Sequence, residues 1–71
     1  MKLPHKLLIP TDGNELEYVE TLQPNSPTNK FKKELHIYRY TKSETKLGML
    51  LPLPQEQLDK MVQNSMAKII E

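Results

Sequence analysis

The chain has 71 residues, 37% of them apolar, a net charge of +1 and no cysteine. A chain this short makes one small domain, 1–71, and roughly 40% of its unfolded surface stays in water, so the core is thin. Disulfides and thiolate zinc sites are excluded, which makes a second subunit the expected source of added stability and a homodimer the expected species.

Lys6 to Pro10 predicts a first strand around Leu7-Leu8-Ile9. Thr11-Asp12-Gly13-Asn14 closes it, with Asp-Gly supplying the positive φ of a tight hairpin turn. The second strand, Glu15 to Leu22, mixes apolar and polar residues on both parities, so its facing stays open. Gln23 to Asn29 contains Pro24, Asn25, Ser26 and Pro27 and predicts a loop. The third strand, Glu34 to Thr41, has period two: Leu35, Ile37 and Arg39 share one face, and His36, Tyr38 and Tyr40 the other. A polar connection, 42–46, leads to a fourth strand over Leu47 to Leu51, ended by Pro52 and Pro54.

From Pro54 the period changes to 3.6. Leu58, Met61, Val62, Met66, Ile69 and Ile70 form one stripe, and Glu56 lies near the positive end of the helix dipole. The expected fold is α+β: a four-stranded antiparallel sheet in the order β-β-β-β-α, with one C-terminal amphipathic helix on the sheet or at a dimer interface. No run nears the roughly 18 apolar residues of a membrane span, and the opening MKLPHKLLIP is too short and proline-broken for a signal peptide. The chain therefore reads as cytoplasmic, with no membrane partner.

Charge is segregated along the middle of the chain. Residues 11–27 carry Asp12, Glu15, Glu17 and Glu20 with no Lys or Arg, a local charge of −4. Residues 28–46 carry Lys30, Lys32, Lys33, Arg39, Lys42 and Lys46 against Glu34 and Glu44, a local charge of +4.

Catalytic chemistry has little to stand on. His5 and His36 lie far apart in sequence with no ligand-spaced partner, so no metal is expected. Glu15 and Glu17 share a strand face, but paired carboxylates need a desolvated pocket to separate their pKa values, and a solvated acidic face is the simpler reading. The only glycines are Gly13 and Gly48, so no phosphate-cradling loop exists. A non-enzyme without cofactors is expected.

The constellation with functional content is Lys30, Lys32, Lys33, His36, Tyr38, Tyr40, Lys42 and Lys46. Cations flanking a face of rings suit single-stranded nucleic acid, because cations neutralise phosphates while each ring stacks a base for about 1–3 kcal/mol. In the competing reading the rings cover a sheet or dimer face and the lysines only solubilise the chain. A different function class is a phage- or plasmid-type interaction module, an inhibitor or adaptor. It would meet a host protein through Asp12, Glu15, Glu17 and Glu20, or through an open sheet edge.

Residues 34–70 contain Lys46-Leu47-Gly48-Met49-Leu50-Leu51 after an alternating polar-aromatic strand, then Pro54-Gln55-Glu56-Gln57-Leu58 at the helix start. This half of the chain resembles the single-strand-binding domain of the transcriptional coactivator positive cofactor four, including its short bacterial and phage relatives. The resemblance implies a dimer with packed helices and basic channels for unpaired strands, serving transcription, replication or repair. Carried over by position, His36, Tyr38 and Tyr40 would face the nucleic acid, with Lys32, Lys33, Lys42 and Lys46 on phosphates.

Overall fold

The computed structural model describes residues 3–71. Its elements are β1 (Lys6–Ile9), β2 (Asn14–Leu22), β3 (Leu35–Lys42), β4 (Leu50–Pro54), α1 (Gln55–Gln63) and β5 (Lys68–Ile69). The protein is α+β with one helix and an antiparallel sheet. The sheet has five strands in the order β4-β3-β2-β1-β5, which corrects the expected four.

The first hairpin forms as its turn chemistry dictates. Gly13 takes φ +70°, and its N–H donates to the carbonyl of Ile9 at 2.8 Å. In β2 the pairing with β3 is irregular between Tyr18 and Glu20, so Val19 is an extra residue with no partner in the register. That bulge changes which parity points inward. Leu16 and Tyr18 pair with Tyr40 and Tyr38 before it, and Thr21 pairs with His36 after it.

β4 lies three residues later than expected and takes in both prolines. Tyr40 N–H donates to Met49 C=O at 3.0 Å, and alternate residues of the strand, Leu51 and Leu53, sit opposite Tyr38 and His36. Pro52 and Pro54 then occupy the positions whose backbone faces away from β3, where a missing N–H costs no ladder bond. An edge strand tolerates proline at these positions; a central one would not.

The helix is shorter than its apolar period. It stops at Gln63: Ser65 takes φ +59°, its N–H donates to Val62 O at 3.2 Å, and Met66 N–H reaches Met61 O at 2.8 Å. These two bonds make a Schellman stop with serine in the left-handed position that glycine normally fills. Met66, Ile69 and Ile70, expected on the helical stripe, therefore lie beyond the helix and are exposed. The chain turns back to lay β5 antiparallel on β1, pairing Ile69 with Leu7 and Lys68 with Leu8.

The buried cluster joins Leu7, Leu16, Tyr38 and Leu53 from four strands with Leu58 of α1 and Ala67 before β5. Leu58 is the buried residue of α1, while Met61 and Val62 are half-buried. Replacing Ser65 by glycine removes the left-handed strain without removing a core contact, since Ser65 is exposed. Ser65→Gly should raise stability by about 1 kcal/mol in urea unfolding, and a loss of stability would contradict this helix stop.

Candidate interaction surface

β3 organises both faces of the sheet. Its even positions turn toward α1. Tyr38 is 0% exposed and His36 is 3% exposed, so neither ring is available to stack a base. This corrects their placement on an open nucleic-acid face: the face of rings is the core face, because Leu53 and Leu58 pack with Tyr38 there. Tyr40 is half-buried at the end of this row, with the Lys46 ammonium 5.6 Å from its ring centroid.

The polar groups around buried His36 form one directed chain. The Gln55 amide nitrogen donates to Asp59 at 2.9 Å, which turns Gln55 Oε1 toward His36. That oxygen can only accept, so His36 Nε2–H donates to it at 2.8 Å. In neutral His36 the opposite nitrogen, Nδ1, then accepts from the Thr21 hydroxyl at 3.0 Å. Having given its proton to Nδ1, Thr21 accepts from Tyr18 O–H. The tautomer follows from the network: neutral His36 carries its proton on Nε2. Among the described residues no buried side-chain nitrogen or oxygen lacks a hydrogen-bond partner.

Tyr38 donates to the Pro4 carbonyl at 2.8 Å and meets Tyr18 edge-on, with ring centroids 5.6 Å apart. Burial, with a smaller repulsion from the Tyr18 phenol, pushes the Tyr38 phenol up from 10.0 to about 12.

The charged candidates divide differently from their order in sequence. Glu17 lies 3.7 Å from Arg39 and Glu15 lies 3.8 Å from Lys42, so acidic β2 and basic β3 pair across the sheet. Lys33 is 3.8 Å from Glu56. Asp12, Glu20, Lys30 and Lys32 are exposed, and among the described residues these four make no ion pair. Lys30, Lys32 and Lys33 precede β3, whereas Lys42 and Lys46 lie at its far end. An eight-residue strand separates the two sets, so the fold does not gather the basic residues into one channel.

The outer face, away from α1, holds residues that charge reasoning passed over. Three cross-strand pairs line it in succession: Leu35 with Pro54, Ile37 with Pro52 and Arg39 with Leu50. Leu35 and Ile37 are buried by their neighbours and form the floor; Leu50, 59% exposed, and Pro52 form the open part.

The loop before β3 extends this strip. Asn29 is buried, and its amide nitrogen donates to the carbonyls of Lys33 at 2.6 Å and Gln23 at 3.0 Å, while its Oδ1 accepts from Phe31 N–H at 3.0 Å. Lys32 takes φ +55° within this clamp. The result holds Phe31 in the open, 65% exposed, beside a groove of about 260 Å³ that it lines with Lys33, Leu35, Pro52, Pro54 and Gln57. The sequence signal was Asn29 followed by an aromatic among lysines, a polar turn residue whose three amide contacts depend on where the loop folds.

Among the described residues no three metal-ligating side chains come together, and no helix is long and apolar enough to cross a membrane. No family model matches the chain, and neither the curated proteins nor the solved structures compared with it give a match. The likeness of residues 34–70 to positive cofactor four thus rests on its short motifs.

Below pH 10 the buried Tyr38 is protonated in both folded and unfolded chains, and its contribution to stability is fully present. That contribution is lost as pH rises through about 12, because the unfolded phenol releases its proton first. Phenolate absorbance should therefore show one of the three tyrosines ionising late, together with unfolding, and Tyr38→Phe should abolish that late step. The absence of any late ionisation step would contradict the burial.

Proposed function

We propose that this chain is a small protein-interaction module, an adaptor or inhibitor, whose outer-face strip receives a segment of another protein. The observation that carries the reading is the clamped loop that holds Phe31 in solvent over an apolar groove continuous with Pro52 and Leu50. A backbone already fixed at Phe31 lowers the entropy cost of engaging its exposed ring, which is the property of an interface anchor. Lys30 and Lys32, exposed and without an ion pair among the described residues, flank Phe31, so the complementary segment carries apolar side chains flanked by Asp or Glu. The acidic residues Glu15 and Glu17 are a weaker docking surface, because each already has a cationic neighbour on β3.

Single-stranded nucleic acid is the second reading, favoured by exposed Lys30 and Lys32 on either side of Phe31. Magnitude ranks it lower. One stacked ring contributes about 1–3 kcal/mol, and each neutralised phosphate adds only about 0.7 to the salt slope of an unpaired strand. Three local lysines and one ring make a weak site at physiological salt.

Peptides selected from a displayed random library against the immobilised protein should converge on aromatic or aliphatic residues beside acidic ones. Phe31→Ala should weaken the winners at least about tenfold, or about 1.4 kcal/mol. A basic consensus, or binding that Phe31→Ala leaves unchanged, would end the proposal. Tight, steeply salt-dependent binding of oligo-dT would favour the nucleic-acid reading instead.

A further inference from the structure

On the interaction-module reading above, on which this step rests, we infer that the segment received by the outer-face strip is an amphipathic helix. It is acidic where it meets Lys30 and Lys32 and basic along the flank that meets Glu20.

The backbone of β4 decides the conformation. Tyr40 N–H donates to Met49 C=O, so alternation turns the backbone of Leu50, Pro52 and Pro54 away from β3, toward the open rim. Of these three only Leu50 has an N–H to give. A segment added there as a strand would leave its carbonyls beside Pro52 and Pro54 without donors. An extended segment laid over the strip meets the same want, because the floor beneath it is the apolar pair Leu35 and Ile37. A helix brings its backbone hydrogen bonds with it and asks the surface only for side-chain contacts.

The spacing matches as well. From Leu50 to Pro54 the strand runs about 13 Å, the length of about nine helical residues. Leu50, Pro52 and Pro54 share one face and recur about every 6.6 Å, close to the roughly 5–6 Å between helix neighbours at i and i+4. Each rung of the strip then takes one residue of the apolar stripe. Phe31 lines the groove with Pro52 and Pro54 and stands at that end, 65% exposed.

Charge sets the order of the partner's polar residues. Glu20 lies in one cross-strand row with Ile37 and Pro52, so it borders the strip on the side of β2. Lys30 and Lys32 border it at the Phe31 end. All three are exposed and make no ion pair among the described residues, unlike Arg39, which Glu17 already faces at the Leu50 end. A helix carries acidic residues at one end and basic residues on one flank while its apolar stripe stays on the sheet.

Two displayed peptide libraries of equal length, about 18 residues, test the conformation against the immobilised full chain. One is built on an alanine-based helical frame varied at i, i+3, i+4 and i+7 and at its flanks; the other carries fixed prolines at intervals that bar a helix. The helical library should give binders and the proline library none. Phe31→Ala should weaken a helical winner about tenfold and Leu50→Ala about fivefold, because one helix bridges both ends of the strip. Glu20→Lys should weaken a winner with Lys or Arg on its flank, and exchanging that residue for Glu in the peptide should restore binding. Binders drawn only from the proline library and lost in Phe31→Ala would overturn the helix while leaving the interaction surface in place. Helical binders that neither Phe31→Ala nor Leu50→Ala affects would overturn it too, and binders from neither library would overturn both the helix and the surface.

Discussion

The fold depends on the packing of Tyr38 between the sheet and the segment that crosses it. From the centre of β3 this ring reaches Tyr18 on β2, sits opposite Leu51 on β4, shares a buried cluster with Leu58 of α1, and ends its hydroxyl on the Pro4 carbonyl. A phenol suits the place because its body is apolar and its tip finds one acceptor. His36, two residues earlier, obeys the same rule with two polar atoms, which Thr21 and Gln55 satisfy. In a chain with so small a core, spending its best strand's rings on burial leaves the opposite face, with Leu50, Pro52 and Phe31, as the surface for partners.

Charge is arranged by the same pairing. The acidic and basic segments, contiguous blocks in sequence, lie on adjacent antiparallel strands, where Glu17 meets Arg39 and Glu15 meets Lys42. Each is a half-exposed pair contributing at most about 1 kcal/mol, so their effect is on register more than stability. Part of the segregation that suggested a basic ligand surface is the chain's complementarity to itself, since two of the four acidic and two of the six basic residues pair in this way. What escapes this pairing includes Lys30 and Lys32 beside Phe31, Asp12 and Glu20 on β2 and its turn, and Glu44 and Lys46 in the connection after β3.

Much of the fold was legible in local chemistry. Asp12-Gly13 marked the first hairpin, period two marked β3 and its two faces, and Pro54 marked the helix start. What escaped depended on contacts distant in sequence. The facing of β2 was unreadable because the Val19 bulge changes its parity midway, and only the β3 register reveals it. The helix stripe overran because Met66, Ile69 and Ile70 fit a 3.6 period equally well; Asn64-Ser65, a polar turn pair before β-branched residues, was the local sign of the stop and of β5. Alternation separated His36, Tyr38 and Tyr40 from Leu35, Ile37 and Arg39 correctly. Which set lies under the helix is decided by Leu7, Leu16 and Leu53 aligning with the first set, a property of four strands together. The Phe31 surface was hidden for a similar reason, since Asn29 clamps its loop through the carbonyls of Gln23 and Lys33.

The central claim is that the helix and the even side of β3 enclose Tyr38. Nuclear Overhauser contacts between the Tyr38 ring protons and the methyl groups of Leu58 and Leu53 measure that enclosure directly. The account requires strong cross-peaks to both leucines in the native protein, together with a slowly exchanging His36 Nε2 proton held by Gln55. A Tyr38 ring whose only close contacts are with solvent and its strand neighbours would contradict it and return the row of rings to the surface.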